Sequence, residues 1–424
     1  MTQPADSASK PVVVIGAGFA GIEVARGLGK AGIPVVLIDR RNHHLFQPLL
    51  YQVATAALSP ADIAEPVRKM VRGYPSVEVL LDEVIGIDRA AQTVSLASGG
   101  TIAYRALVIA TGATHSYFGH DEWAAFAPGL KTIEDARKIR SRILLAFERA
   151  EMSRDPAERK RLMTIAVIGG GPTGVELAGA IAELAHSMLA SDFRVIRNET
   201  ATVLLLEAGD RILTAFPQEL ADYAVRKLDK LGVTLKLKTP VERITAHSIM
   251  AAGVEIPVGT AIWAAGVMAS GLGKLLGVET DRAGRIAVNP DLSVPKFDNV
   301  YALGDISSLR DEHDKPLPGL AQVAKQQGTY LGRTLAKKLL SGTAPAPFRF
   351  HNRGNTAIVG RNAAVFDFGW WQIRGWFAWT FWAFIHVYLL VGFQHRVIVA
   401  IQWLWKYVTY EQGSRLIAEE QREE

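Results

Sequence analysis

Two stretches of the chain repeat one design. Residues 11–24 read Pro-Val-Val-Val-Ile-Gly-Ala-Gly-Phe-Ala-Gly-Ile-Glu-Val, and residues 164–177 read Thr-Ile-Ala-Val-Ile-Gly-Gly-Gly-Pro-Thr-Gly-Val-Glu-Leu. Each is an apolar strand, then Gly-x-Gly-x-x-Gly, then a helix opening on an apolar residue and Glu. Each glycine has a job: the first turns the chain sharply out of the strand, the second lets backbone approach a pyrophosphate, and the third packs helix on strand. The anion then rests on N–H groups at a helix N-terminus. A lone glycine motif is common, but the strand before and helix after are the context that gives it meaning. Two copies predict two dinucleotides held in one protein, and electrons passing between them.

The acids that follow fit this scheme. The strand Val35–Ile38 delivers Asp39, 18 residues after Gly21, where such a fold places an acid on a ribose hydroxyl. The strand 202–206 delivers Glu207, 33 residues past Gly174, the excess being a polar insertion over 188–201. An acid here accepts from the adenosine ribose hydroxyls and repels a 2′-phosphate, which favours NADH over NADPH; Arg211 nearby argues the other way. Thr111-Gly112 and Ala265-Gly266 are matching turns after later strands, and Val300 to Asp305 is a strand ending in Gly304 and an acid.

Between these markers the pattern predicts an amphipathic helix over 60–72, a meander of strands at 77–81, 84–88 and 93–96, and a helix over 130–150 capped by Thr132. Helices are also expected from Pro172 to about Ser187, over 217–231 and over 320–340. His43-His44 has no further ligand at metal spacing and reads as a solvated loop, so no metal is expected. Gln322 and Gln326 stand i,i+4 on one helix face, where plain surface amides are the simplest reading.

The chain has no cysteine, which removes disulfides, thiolate metal sites and any Cys-x-x-Cys redox centre. A net charge of +5 favours anionic surroundings, nucleic acid or membrane, without separating them. Lysines and arginines are spread along the chain with no nucleic-acid reading module, so nucleic-acid binding is not expected. The first nine residues have no apolar core and read as a disordered lead-in rather than a secretory signal.

The last 75 residues change character, holding seven of the nine tryptophans. Residues 376–393 contain no Lys, Arg, Asp or Glu, about the least a spanning helix needs. Their Trp and Phe, however, prefer the headgroup boundary. Together with 396–410 they read as a pair of interfacial helices lying on a membrane. An aromatic dimer interface is the competing reading.

The order Gly16 motif, Thr111-Gly112, Gly169 motif, Gly304-Asp305 resembles the two-dinucleotide-binding-domain flavoproteins. The stretch Ala321-Gln322-Val323-Ala324-Lys325-Gln326-Gln327-Gly328 and the aromatic tail narrow the resemblance to the type II NADH dehydrogenases, single-chain, non-proton-pumping NADH:quinone oxidoreductases bound to one membrane face. The resemblance covers nearly the whole chain. It implies an α/β fold of two Rossmann-like domains, the second inserted in the first: 10–120 with 286–340 for FAD, 121–285 for NADH, and 341–424 associating with membrane. It implies non-covalent FAD at Gly16, Ala17, Gly18, Phe19, Ala20, Gly21, Asp39, Arg40, Gln52, Val84, Thr111, Gly112, Gly304, Asp305, Ala321 and Gln322. NADH falls to Gly169, Gly170, Gly171, Pro172, Thr173, Gly174, Glu176, Glu207, Ala265 and Gly266, and the quinone head to Gln322 and Gln326.

In that family pattern the N–H groups of Ala321 and Gln322 open a helix toward the flavin ring, where their partial positive charge steadies negative charge. Glu176 takes part in proton delivery to quinone; as a residue of the helix's first turns it also reads simply as an acid complementing the dipole. The resemblance further implies a homodimer, peripheral on the cytoplasmic face of the cell membrane. A soluble ferredoxin- or rubredoxin-type NAD(P)H reductase shares both nucleotide units but not the tail or the paired glutamines. A flavoprotein that binds NADH as a signal is the alternative outside enzymes, marked by slow reoxidation with every acceptor.

Overall fold

The computed structural model describes residues 10–197, 199–312, 314–389, 397–401, 403 and 416–417. The expected lead-in and most of the second tail helix, 396–410, lie outside the described residues. The chain forms two compact units. The first takes the chain up to Leu45, Ala64–Thr114 and Val267–Asn352; the second takes Phe46–Ile63, His115–Gly266 and the chain from Arg353. The chain crosses after Leu45, Ile63, Thr114, Gly266 and Asn352, the third and fourth lying nearest the expected boundaries at 120 and 285.

The first unit is built on a five-stranded parallel sheet. Its order is Val300–Ala302, Ala106–Ile109, Val12–Ile15, Val35–Asp39, Val77–Leu81. Val12–Ile15 and Ala106–Ile109 are apolar at every position because both faces are covered, as parallel sheets require. Val12–Ile15 lies where the order reverses, so the crevice beyond its C-terminal end is the switch point that binds ligands in such sheets. Val77–Leu81 joins this sheet as its edge and not the expected meander. The meander pairs Val84–Asp88, Thr93–Leu96 and Thr101–Ala103.

The second unit repeats the plan in four parallel strands: Val233–Lys236, Thr202–Leu206, Thr164–Ile168, Thr260–Trp263. Its motif helix runs Pro172–Ser191, a turn beyond the expected end. The Ile133–Met152 helix starts on a full capping box: the Thr132 hydroxyl accepts the Asp135 N–H, and the Asp135 carboxylate accepts the Thr132 N–H.

Two further expectations fail. Residues 60–72 do not form one helix: Pro60–Asp62 is a 3₁₀ turn, Ala64–Pro66 a strand, and Val67–Val71 a short helix. Pro66 has no N–H to continue a helix, and it drives Glu65 before it to extended backbone. The histidine pair is not a solvated loop. His43–Leu45 is a strand paired with Ala64–Pro66, and His44 is buried. Ahead of the expected aromatic helix, Asn355–Gly360, Ala363–Asp367 and Gln372–Gly375 form an antiparallel sheet that the sequence reading did not include. The Trp376–Leu389 helix follows it. Among the described residues no helix is long and apolar enough to cross a membrane.

Candidate functional site

The two glycine turns are built alike. Gly16 has φ +99° and Gly169 φ +110°, the left-handed region that favours glycine. A Cβ on Gly16 would stand 2.5 Å from the Ala110 carbonyl oxygen, and one on Gly169 2.8 Å from the Ala264 carbonyl carbon. A Cβ on Gly21 or Gly174 would stand 1.8 Å from the carbonyl oxygen of Gly16 or Gly169, so each helix packs on its own loop. At Gly18 and Gly171 a Cβ would meet nothing within 4 Å. The second glycine of each turn therefore faces open space, which fits a pyrophosphate lying against bare backbone.

The acids are placed alike as well. Asp39 accepts the Ala17 N–H on Oδ2 at 2.7 Å and the Arg41 N–H on Oδ1 at 2.8 Å. Glu207 accepts the Gly170 N–H on Oε2 at 2.6 Å and the Gly209 N–H on Oε1 at 2.7 Å. In both units the acid at the end of the second strand grips the loop and its own chain two residues on. Charge-assisted bonds of this kind are about twice as strong as neutral ones. Arg211 turns away from Glu207, donating to Gln218 Oε1 and to the Thr214 and Phe216 carbonyls.

Around the first turn, Phe19 stands edge-on to His44, ring centroids 5.1 Å apart, and the His44 Nδ1 bonds the Ala17 carbonyl at 3.0 Å. Ala17 is thus held at its N–H by Asp39 and at its carbonyl by His44, and burial lowers the His44 pKa. Arg40 pairs with Glu83 at 3.8 Å on the surface. Val84 has its side chain in the core, which leaves its backbone for any ligand. The Thr111 hydroxyl bonds the Ser270 hydroxyl at 2.6 Å, and the Gly112 carbonyl accepts the Ser270 N–H. In the second unit the Gly266 carbonyl accepts the Ser116 N–H, while Pro172 and Thr173 begin the motif helix in the open. Ala265 is half-buried in the strand-end turn.

The glutamine helix runs Ala321–Ser341 with no side-chain cap at its start. It crosses the Phe19–Lys30 helix at backbone distance: a Cβ on Gly328 would stand 2.3 Å from the Ala20 carbonyl oxygen, and one on Gly27 2.8 Å from the Gly332 backbone. Gln327, fully buried, accepts the Gly304 N–H at 2.7 Å. This residue, which ties the helix to the Gly304–Asp305 turn, escaped the sequence reading; the doubled Gln-Gln beside a glycine was its signal. Asp305 lies in that turn, its carboxyl carbon 3.4 Å from where a Gly319 Cβ would be. Gln322 opens the helix, and Gln326 has both ends of its amide on the His351 backbone, at 2.9 and 3.1 Å.

A further polar group lies in the second unit, on the Pro172–Ser191 helix. Glu176 accepts the Ile358 N–H at 3.3 Å, and Glu183, two turns on, accepts the Arg361 N–H. Gly179 between them lets the Asn355–Gly360 strand approach closely; a Cβ there would stand 2.5 Å from the Val359 carbonyl oxygen. Burial pushes the Glu176 carboxyl up to about 8 and raises that of Glu183 as well. Tyr51 is buried, and its hydroxyl lies in the field of both acids. Gln52, expected at the flavin, donates from Nε2 to the Tyr51 oxygen at 3.0 Å and accepts the Trp403 indole N–H on Oε1 at 3.0 Å. The sequence reading missed Glu183 and Tyr51. Two acids seven apart on a helix without Lys or Arg were the available sign.

Residues 10–328 match the model of the pyridine nucleotide-disulphide oxidoreductase family. The chain is 41% identical, over 97% of its own length and 90% of the relative's, to a Mycobacterium tuberculosis protein named type II NADH:quinone oxidoreductase Ndh. It is 30% identical, over 97% and 87%, to an Arabidopsis thaliana internal alternative NAD(P)H-ubiquinone oxidoreductase of mitochondria. Its fold superposes on that of NDH2 from Plasmodium falciparum, solved in complex with NADH, with a TM-score of 0.88 at 21% identity, covering 96% and 99% of the two chains. Paired cradles, each gripped by the acid of its second strand, and relatives matched end to end place this chain in the pyridine nucleotide-disulphide oxidoreductase family, among its type II NADH:quinone oxidoreductases.

Proposed function

We propose that the protein is an FAD-dependent NADH:quinone oxidoreductase that moves no protons across the membrane. The observation that carries the reading is the second cradle, where the Glu207 carboxylate closes the Gly169–Gly174 loop by accepting the Gly170 and Gly209 N–H groups. Relatives whose names state the same reaction support it. Bound FAD would supply the two-electron chemistry between NADH and quinone.

The chain's own residues supply position and electrostatics. Gly16–Gly21, with Ala17 fixed by Asp39 and His44, hold the FAD pyrophosphate, and Asp39 takes its ribose. Arg40, Gln52, Val84, Thr111, Gly112, Gly304 and Asp305 complete that site. Gly169–Gly174, Glu176, Ala265 and Gly266 hold NADH, and Glu207 takes its adenosine hydroxyls and turns away NADPH. The N-terminus of the helix at Ala321 and Gln322 offers positive potential to the flavin ring. Gln322 and Gln326 border the quinone head, Gln326 as part of its bridge to His351. Glu176, a carboxyl that keeps its proton near neutrality, donates to the reduced quinone.

The same reading places the protein at a bilayer surface. Phe377, Phe384 and Tyr388 project from one side of the Trp376–Leu389 helix, each at least 65% exposed, while Ala378, Trp382 and His386 face inward. Such a stripe suits an interfacial helix. The location is the cytoplasmic face of the cell membrane and the assembly a homodimer; sedimentation of the detergent-solubilised enzyme checks the latter. Steady-state oxidation of NADH and NADPH with a short-chain quinone tests the whole reading. Quinone-dependent turnover with NADH well above that with NADPH agrees with it; equal rates, or no dependence on quinone, contradict it.

A further inference from the structure

Phe118 stands where turn chemistry disfavours it. The Tyr117 carbonyl accepts the His120 N–H at 3.1 Å, which closes a four-residue turn. Its two central residues, Phe118 and Gly119, have φ +54° and +93°. Positive φ at both is the type I′ pattern, dominated by Gly, Asn and Asp. A bulky residue there is strained, and such strain persists only where the surroundings over-determine it. Here they do. The Ser116 carbonyl accepts the Trp263 indole N–H at 2.9 Å, and the Ser116 N–H donates to the Gly266 carbonyl. Tyr117 points inward, stacked on Trp263 at 5.1 Å with its hydroxyl on the Ala127 carbonyl. Phe118 is thereby turned outward. It is 67% exposed and meets Trp263 edge-on at 6.0 Å, so the core gains little from its ring.

The tip of this ring covers Gly266, where a Cβ would stand 2.6 Å from the Phe118 Cζ. Gly266 closes the turn that begins at Ala264, and the Ala264 carbonyl carbon lies 2.8 Å from where a Gly169 Cβ would be. Glycine loop, strand-end turn and ring therefore adjoin one another. The strand order gives the run a direction. Glu207 follows Thr202–Leu206 on one side of Thr164–Ile168, and Gly266 follows Thr260–Trp263 on the other. A dinucleotide with its adenosine at Glu207 and its pyrophosphate on Gly169–Gly174 has its nicotinamide end toward Gly266. We propose that the Phe118 ring packs against the nicotinamide ring of NADH. The inference rests on the second cradle as the NADH site. A flat ring with an apolar face suits an aromatic partner, and the strained turn keeps that partner outside the core and over Gly266.

The test sets NADH against ADP-ribose, the same dinucleotide without its nicotinamide. The Kd for NADH is read from the saturation of flavin reduction in anaerobic stopped flow of the holoenzyme, and ADP-ribose is titrated as a competitor. Phe118→Gly removes the ring and the strain together, so its Tm should be no lower than that of the wild type. Its Kd for NADH should rise about tenfold, with inhibition by ADP-ribose unchanged. Phe118→Tyr keeps a ring and should recover most of the affinity. A wild-type Kd for NADH in Phe118→Gly overturns the proposal. So does equal weakening of NADH and ADP-ribose with a lowered Tm, which would make Phe118 a packing residue. Glu207→Gln separates the underlying reading: it should weaken NADH and ADP-ribose alike. If it changes neither, NADH is held elsewhere and the proposal falls with that reading. A responsive Glu207→Gln beside an unresponsive Phe118→Gly removes the role of Phe118 alone.

Discussion

The carboxylate of Glu207 holds the N–H of Gly170 at 2.6 Å across 37 residues of sequence. Its other oxygen holds Gly209, so one side chain shapes the glycine loop and also carries the charge proposed to select the nucleotide. Glu207→Gln keeps an acceptor for one loop N–H and removes the charge. The ratio of kcat/KM for NADPH over NADH should rise about tenfold, equivalent to ~1.4 kcal/mol. Glu207→Arg should discriminate further but lose loop order. Unchanged discrimination in both variants places the adenosine elsewhere.

The seam between the Phe19–Lys30 and Ala321–Ser341 helices leaves no room for side chains at Gly328. A Cβ there meets backbone, the Ala20 carbonyl oxygen at 2.3 Å, and backbone cannot swing aside. Gly328→Val should destabilise the protein by about 3 kcal/mol, read as a lower Tm together with loss of bound flavin. An unchanged Tm refutes the close approach.

Gln327→Leu leaves the part-buried Gly304 N–H without its acceptor, at a cost of about 1–3 kcal/mol. Since Gly304 belongs to the turn assigned to FAD, flavin should leave the variant faster on dilution, followed by the rise in free-flavin fluorescence. Wild-type release separates Gln327 from the cofactor.

Two kinds of buried group make stability depend on pH with opposite signs. The folded protein keeps the Glu176 proton up to about 8, while an unfolded chain loses it near the ordinary glutamate value of about 4.3. The unfolded state thus binds fewer protons over that window, and stability falls as pH rises, by at most ~1.4 kcal/mol per pH unit. His386, buried against Trp382, is held down to about 4 from 6.5. Between those values the unfolded chain binds the extra proton, so stability is lost as pH falls. Above about pH 7.5 the buried histidines are close to neutral in both states, and the slope is set by the raised carboxyls of Glu176 and Glu183. Glu176→Gln should flatten the Tm against pH there; an unchanged slope means Glu176 is ionised in the fold.

Sequence legibility followed backbone constraint. Gly16, Gly169, Asp39 and Glu207 were readable because each does one thing that few residues can do, at a spacing the fold dictates. His44 and Glu183 were not, because their roles depend on partners far along the chain: Ala17 is 27 residues from His44, and Arg361 is 178 from Glu183. The edge strand Val77–Leu81 alternates like a meander strand because it is covered on fewer sides than its neighbours. Local pattern alone does not tell the two apart. The sheet from Asn355 to Gly375 was masked by the tryptophans around it, which drew attention to helices.

The outward aromatic stripe is separable from the packed one. Phe377→Glu with Phe384→Lys changes exposed rings only, whereas deleting the helix would also remove the packed Trp382 and His386. The double variant should keep its flavin and its Tm while losing sedimentation with anionic vesicles. If it still sediments like the wild type, this stripe is not what meets the lipid.

The central claim is that electrons pass from NADH through a bound flavin to quinone. Anaerobic stopped flow of the purified holoenzyme tests it most directly. NADH should bleach the flavin absorbance within the time of one turnover, and a second mix with short-chain quinone should restore it as fast as steady-state turnover demands. Bleaching without quinone-dependent recovery would leave both nucleotide cradles in place and contradict the assignment of quinone as the acceptor.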